Sequence, residues 1–230
     1  MTHTRSTLAM ALCLFGAGCA AEDPDDGGAD TASNSGTTEI GQQTYEIDLQ
    51  RGTATLPANS GPAVLDVVGE TVLAGLTIGA TSLDGVIATS EGDGQDPCGL
   101  ADGFAGASYA GDAAIDAGPT TFEIVLEGAY SPLHDAHLTG ILSDDSTRLN
   151  DAVLTGSMDL RPLSLALYPD DPENTFCELM GGFGESCEAC ADGTDHCIAI
   201  RIEDLTGTAV DTEVTARLAA DVAADADCAM

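Results

Sequence analysis

The side chains best suited to chemistry in this 230-residue chain are a group of six cysteines. Cys187 and Cys190 form a C-x-x-C pair, and a short acidic loop separates them from Cys197. Cysteines at such spacing either bind zinc as thiolates or cross-link the chain as disulfides. The six residues are Cys98, Cys177, Cys187, Cys190, Cys197 and Cys228.

A zinc site is the alternative to disulfides at this cluster. Tetrahedral zinc needs four ligands, and the four candidates are Cys177, Cys187, Cys190 and Cys197. Zinc sites more often combine two well-spaced pairs of ligands, whereas this segment has one C-x-x-C pair. Acidic neighbours at Glu185 and Glu188 also disfavour a reactive redox thiolate. Disulfides are therefore favoured, and zinc is the weaker alternative.

Two histidines form a second constellation. His134 and His137 are three residues apart with Asp135 between them. On a regular strand this spacing points the two rings to opposite faces, which makes them poor joint metal ligands. Asp135 could orient one imidazole. We expect exposed histidines beside a strand here, and no metal site.

Acidic loops are candidate calcium ligands, but aspartates are also common in turns and helix caps. We favour the turn and capping role. The sequence therefore gives no specific support for Ca²⁺ as a cofactor, and no other cofactor is expected. The candidates are Asp93, Asp96, Asp144, Asp145, Asp170 and Asp171. No residue is assigned a catalytic role, because Gly106-Ala107-Ser108-Tyr109-Ala110 fails the nucleophile-elbow pattern at its last position.

Composition excludes several functions. The chain has 39 acidic residues against 6 Lys plus Arg, which gives a net charge of -33. All six basic residues are arginine, so chemistry that requires lysine is excluded. Nucleic acids and anionic headgroups are repelled by such a surface. The aromatic content of 4% and the absence of Trp leave few stacking platforms for sugars or bases.

The first residues have the pattern of a secretory leader. Arg5 precedes a short apolar run, and the small residues Gly16-Ala17-Gly18 lead to Cys19. The run is too short to cross a bilayer as a permanent helix. This pattern resembles a bacterial lipoprotein precursor. The resemblance implies cleavage after residue 18 and acyl chains such as palmitate on Cys19. In that family, Ala20 rather than an Asp in the second mature position is similar to lipoproteins sorted to the outer membrane of a Gram-negative bacterium. The alternative is a secreted or periplasmic product.

Three segments follow from this interpretation. Residues 1–18 are the predicted signal peptide. Residues 19–39, which include Asp23, Asp25 and Asp26, contain almost nothing to bury and are predicted to be a disordered acidic tether. Residues 40–230 are long enough for a single β-rich domain. This cysteine-rich body also resembles envelope lipoproteins to which no function is attached.

Apolar residues of the domain alternate with mostly polar ones. Examples are Tyr45-Ile47-Leu49, Phe122-Ile124-Leu126, Ile198-Ile200-Ile202 and Val214-Ala216-Leu218. The two-residue period predicts half-buried antiparallel strands, and the frequent turn residues predict a sandwich or a barrel. Further strands are predicted at 63–68, 71–78, 85–89, 107–111, 138–142 and 153–160.

One segment has a helical period instead. Phe176, Leu179, Met180 and Phe183 lie at i, i+3, i+4 and i+7, after a capping Asp171 and before Gly184. This short amphipathic helix is predicted to cover an end or an edge of the sheet. A shorter helical turn is predicted at 162–167.

An even number of cysteines in an exported domain predicts three disulfides. Six cysteines allow 15 pairings, and the clustering favours bridges within residues 177–197, which leaves Cys98 for Cys228. The predicted function is a lipid-anchored, non-catalytic structural or binding module outside the cytoplasm. The candidate partners are the membrane, a small hydrophobic ligand or an envelope protein, and nucleic acid is excluded. A zinc or calcium module and, less favoured, a secreted hydrolase are the alternatives.

Overall fold

In the part of the chain that the structure describes, ten antiparallel strands form one sheet that curls into a half-barrel. The main path of hydrogen-bonded neighbours is β5-β4-β3-β1-β10-β9-β8-β7, while β2 pairs with β10 and β6 with β4. The predicted all-β antiparallel fold is confirmed, and its form is a half-barrel. The strands are β1 (Gly41–Asp48), β2 (Thr53–Leu56), β3 (Thr71–Ile78), β4 (Ser82–Glu91), β5 (Gly94–Gln95), β6 (Gly103–Ser108), β7 (Ala114–Leu126), β8 (Ala129–Leu142), β9 (Arg148–Asp159) and β10 (Cys197–Val210).

The computed structural model describes residues 41–68, 71–109, 113–170 and 175–228. All of these residues belong to one compact unit. The predicted leader, the predicted lipidation residue Cys19 and the predicted tether lie outside the described residues. So does Asp171, the expected cap of the amphipathic helix.

Four short helices accompany the sheet in the described part of the chain. They are α1 (Gly61–Val67), α2 (Arg161–Leu167), α3 (Thr175–Gly182) and α4 (Ala219–Ala224). The predicted helical segments correspond to α2 and α3. The strand predicted at 63–68 is wrong, because Pro62 occupies the first turn of α1, where its fixed φ favours a helix. The strand predicted around Val214 is also wrong, since this segment forms only a single bridge, between Arg217 and Ala101.

Alternation in the sequence corresponds to burial in the structure. Tyr45 and Ile47 are fully buried while Glu46 is exposed, and Phe122, Ile124 and Leu126 are buried on the long strand β7. The buried side chains form one apolar cluster inside the curled sheet. This cluster is the core that fixes the register of the strands, because a slip of one residue would expose it.

Three neighbouring strands, β8, β9 and β10, each contain a bulge at an aspartate with a left-handed backbone. The φ angle is 49° at Asp135, 48° at Asp151 and 59° at Asp204. The strand register shifts beside each of these residues. Aspartate tolerates this conformation because its short side chain can hydrogen-bond locally. Since bulges bend a strand and increase its twist, these three help to curl the sheet.

Glycines in the Leu-Thr-Gly segments of β8 and β9 let large core side chains approach the backbone. A Cβ added at Gly140 would lie 2.7 Å from Cδ1 of Leu149, and a Cβ at Gly156 would lie 2.7 Å from Cγ of Leu133. Both leucines are fully buried. The two glycines therefore allow these core leucines to pack closely against the backbone of β8 and β9.

The two ends of the curled sheet are joined by residues 100–102. The backbone N–H of Glu123 on β7 donates to the carbonyl of Leu100 at 2.9 Å, and that of Asp102 donates to Thr121 at 2.8 Å. The same segment leads into β6, which pairs with β4. This bridge connects the β4 side of the half-barrel to the edge strand β7.

Candidate ligand-binding pocket

The six cysteines form three disulfides, which are Cys98–Cys228, Cys177–Cys187 and Cys190–Cys197. The four clustered cysteines pair among themselves, and Cys98 joins the C-terminal segment 130 residues away. Disulfide sulfurs carry no thiolate, so the zinc site considered for Cys177, Cys187, Cys190 and Cys197 is not formed in this oxidised state.

The geometry of the cluster also argues against a four-cysteine site. Among the described residues, the ligand atoms that lie within 4.8 Å of one another belong to Cys190, Cys197 and Asp159. Cys177 and Cys187 are outside that group. Asp159 is already paired, because Nη2 of Arg161 lies 2.6 Å from its Oδ2. The cluster is therefore a set of cross-links that hold local structure.

Two of these disulfides fasten α3 to the start of β10. Cys177 lies in α3 and bonds to Cys187. The next residue, Glu188, exchanges two backbone hydrogen bonds with Cys197, of 2.7 and 3.0 Å. Cys197 is the first residue of β10 and bonds to Cys190. A continuous chain of covalent and hydrogen bonds thus fixes α3 at this end of the sheet.

An apolar pocket of about 240 Å³ lies between this end of the sheet and the helices α1, α2 and α3. None of the described residues that line it carries a charge. Met180 is the buried contact of α3, whereas Phe183 is 50% exposed and Leu179 is also exposed. The lining residues are Ser60, Ala63, Val64, Leu126, Met158, Leu160, Leu163, Leu167, Tyr168, Phe176, Leu179, Met180, Phe183 and Ile198.

A hydrogen bond joins two distant segments that lie next to residues of the pocket lining. The backbone N–H of Asn59, in the turn before α1, donates to Oε1 of Glu185 at 2.6 Å. Glu185 follows α3, and its own N–H donates to the carbonyl of Met180 at 3.1 Å. The turn that begins α1 and the end of α3 are thereby held together on either side of the pocket.

Ser60 is the polar residue of the inner wall. It occupies the N-cap position of α1, and its carbonyl accepts from the N–H of Val64 at 2.9 Å. Its side chain makes no capping hydrogen bond. The residue is 3% exposed, and Oγ has no hydrogen-bond partner among the described residues. Ser60 thus places a buried hydroxyl without a hydrogen-bond partner in a lining whose other described residues, apart from the exposed Tyr168, are apolar.

A second, acidic cavity lies beside the Cys98–Cys228 disulfide. Asp96, which is 6% exposed, accepts from the backbone N–H of Cys98 at 2.8 Å. Burial raises the pKa of Glu123, while the N–H of Leu100 donates to its Oε2 at 2.8 Å and opposes that shift. Burial, followed by the charge of Asp96, raises the pKa of Tyr130 to about 12. These groups are engaged with the protein itself, which agrees with a structural role for Asp96.

The other acidic candidates also act in turns. Oδ1 of Asp145 accepts hydrogen bonds from Ser143 and Thr147, and these lower its pKa to about 2. The carbonyl of Asp93 accepts from Thr212 at 3.2 Å. Asp144 and Asp170 lie in turns, and Asp171 lies outside the described residues. These contacts show that Asp145 stabilises a turn through its side chain, as expected from the sequence.

The two histidines of β8 lie on the same face of the sheet, so the expected opposite orientation is wrong. The bulge at Asp135 adds one residue between them. As a result Leu133 and Ala136 both point inward, while His134 and His137 are on the outer side. Nδ1 of His137 lies 2.8 Å from Oδ1 of Asp116, not of Asp135.

Comparison of the chain with protein-family models, curated proteins and solved structures gave no significant match. The function is therefore inferred from the geometry of the described residues. Among those residues, no helix is both long enough and apolar enough to cross a membrane.

Sequence patterns could find only part of the pocket. The apolar positions of α3 were predicted from their helical spacing. Ser60 had no motif, because its significance depends on its place in the pocket wall and on the absence of a capping bond from its side chain. Met158 and Ile198 are cross-strand partners on β9 and β10, and Leu126 is the last residue of β7, so grouping them requires the strand order and register.

Proposed function

We propose that this protein is a lipid-anchored binding module of the cell envelope that holds a small apolar molecule in the pocket beside α3. The observation that carries this proposal is an uncharged pocket of about 240 Å³ whose rim exposes large apolar side chains. Binding sites for small molecules are concave and mostly apolar, with few polar groups that fix orientation. No catalytic role is assigned to any residue.

Exposure at the rim supports binding more than a purely structural role. Phe183, Leu179, Leu167 and Tyr168 are all exposed and all line the same pocket. Single exposed apolar residues are ordinary on a protein surface, whereas a contiguous group around a cavity is typical of an interaction site. A ligand in the pocket would remove part of this group from water.

The cross-links support a pocket that is formed before the ligand binds. Met180 is the buried residue of α3, so core packing alone gives this helix little support. The Cys177–Cys187 disulfide and the Asn59–Glu185 hydrogen bond provide it instead. A site that is already ordered loses less conformational entropy on binding, which favours affinity for a small ligand.

The position of the first described residue is compatible with an anchor before it. Gly41 pairs with Ile78, and Thr44, three residues later, pairs with Val210 at the end of β10. The pocket contains Ile198, near the start of β10. The chain therefore enters the sheet at the end opposite the pocket, which leaves the pocket mouth away from the point where a tether would attach.

The test is binding of naphthalene, an uncharged probe of fitting size, to the mature exported protein by fluorescence titration. We expect saturable binding. Ala63→Phe should weaken it at least tenfold, because Ala63 lies in the exposed part of the pocket lining and the larger side chain should obstruct the pocket. Ala220→Phe is the matched control, since Ala220 is an exposed alanine of α4. Absent binding, or equal binding by both variants, would refute the proposed function.

A further inference from the structure

The buried hydroxyl of Ser60 indicates which class of molecule the pocket takes. We infer that the ligand is a neutral, mostly apolar molecule with one hydroxyl or carbonyl group, and that this group hydrogen-bonds to Oγ of Ser60. This inference rests on the proposed function and specifies its ligand.

Ser60 lacks the bond that serine makes at this position in most helices. An N-cap serine ordinarily accepts a hydrogen bond from a backbone N–H in the first turn. Ser60 has the N-cap position of α1 but makes no such bond. Its Oγ is buried and has no partner among the described residues. A buried polar group without a partner is costly, so such groups in native proteins call for an explanation such as a ligand.

Location separates Ser60 from the other serine with this property. Ser131 is fully buried, and its Oγ also has no partner among the described residues. Ser131 does not line the apolar pocket, whereas Ser60 does. Ser60 therefore lies beside the space that a ligand would occupy, whereas Ser131 does not. Ser131 is therefore a natural control for Ser60.

Charge excludes an anionic ligand group. None of the described lining residues is cationic, and the chain carries a net charge of -33. A carboxylate buried beside a single hydroxyl would lose its hydration without gaining a counter-charge. A neutral hydroxyl or carbonyl needs only one hydrogen bond, which Ser60 can supply.

Volume limits the size of the ligand. The pocket measures about 240 Å³. An apolar cavity of roughly 150 Å³ in another protein holds benzene, which has six carbons. By proportion, this pocket holds about ten non-hydrogen atoms. Two fused aromatic rings, or a short aliphatic chain with one polar end, fit this limit.

The experiment compares 2-naphthol with naphthalene, since the two differ by a single hydroxyl that is uncharged at neutral pH. Dissociation constants are measured for the mature protein and for the variants Ser60→Ala and Ser131→Ala. We expect Ser60→Ala to weaken 2-naphthol binding about fivefold, the typical effect of one neutral hydrogen bond. Its affinity for naphthalene should change less than twofold, and Ser131→Ala should change neither affinity.

The results distinguish this inference from the proposed function. If the native protein binds both probes and Ser60→Ala affects them equally, the Ser60 contact is refuted while the pocket remains a binding site. If the native protein binds neither probe, the proposed function itself fails. Ser60→Gly is the second variant should Ser60→Ala not fold, because glycine is also accepted at an N-cap and equally removes the hydroxyl.

Discussion

The backbone N–H of Asn59 and the carboxylate of Glu185, 126 residues apart in sequence, form a 2.6 Å hydrogen bond. It joins the turn before α1 to the segment after α3. Because these two elements come from opposite halves of the chain, their contact is formed only when the half-barrel is complete. The contact therefore links the stability of the fold to the geometry of the binding site.

Loss of the Glu185 carboxylate should loosen the pocket. We expect Glu185→Ala to lower the free energy of unfolding by about 1 kcal/mol, the usual net value of one hydrogen bond. Naphthalene affinity should fall as well, because the wall between α1 and α3 becomes mobile. Urea unfolding and probe titration measure the two effects. Glu178→Ala, at an exposed position on α3 itself, should change neither quantity, and an equal effect there would contradict the assigned role of Glu185.

Removal of single disulfides should separate stability from binding. Loop-closure entropy predicts a loss of about 5 kcal/mol without Cys98–Cys228 and about 3 kcal/mol without Cys177–Cys187, since the sequence separations are 130 and 10 residues. The shorter bridge holds α3, so its loss should impair naphthalene binding more. Double Cys→Ala variants, urea unfolding and probe titration measure both effects. A greater loss of binding without Cys98–Cys228, in protein that remains folded, would contradict this division.

The cysteines themselves can be counted in the exported protein. We expect no free thiol among the six domain cysteines under denaturing conditions, because each is paired in the structure. A thiol-reactive mass label detects any that are reduced. Four labelled cysteines within residues 177–197 would instead favour the thiolate zinc alternative.

Anchoring through Cys19 is tested by intact mass. We expect the membrane fraction to contain a chain that begins at Cys19 and carries acyl groups, because several chains hold a protein firmly on a membrane. Cys19→Ser should move the protein to the soluble fraction. Cys13→Ser, a change inside the predicted leader, should leave the mature mass unaltered. An unacylated product with another N-terminus would contradict the lipoprotein interpretation.

The turn between β8 and β9 should make the free energy of unfolding depend on pH in the acidic range. Hydrogen bonds from Ser143 and Thr147 lower the pKa of Asp145 from 3.8 to about 2. A carboxyl group whose pKa is lower in the folded than in the unfolded state stabilises the fold at pH values above its ordinary pKa of 3.8. This contribution is lost as the pH falls through the folded-state pKa of about 2. Asp145→Asn should therefore reduce stability at neutral pH and flatten its decrease between pH 4 and 2.

Urea unfolding at several pH values measures that dependence, with the neighbouring Asp144→Asn as control. The effect reaches the core through Tyr45, whose hydroxyl donates to the carbonyl of Ser146 in the same turn at 3.0 Å. Identical pH profiles for Asp145→Asn and the native protein would exclude the proposed role of the turn.

Prediction from the sequence succeeded where one local pattern decided the structure. Alternation identified β1, β7 and β10, and helical spacing identified α3. It failed at residues 63–68, because apolar residues in a short run fit a helix or a strand equally well. It also failed for the histidines of β8, where one left-handed residue, Asp135, reverses the face of everything that follows. The pocket lining combines residues from segments that are distant in sequence, so local patterns could not predict which residues form it.

The bulge at Asp135 gives the last prediction. Its φ of 49° is a conformation that glycine adopts freely and β-branched residues resist. Asp135→Gly should leave the free energy of unfolding nearly unchanged, whereas Asp135→Val should lower it by about 1–2 kcal/mol. His134→Val is the control, since a β-branched residue suits an ordinary strand position. If Asp135→Val proved as stable as Asp135→Gly, the left-handed bulge could not be what places His134 and His137 on one face.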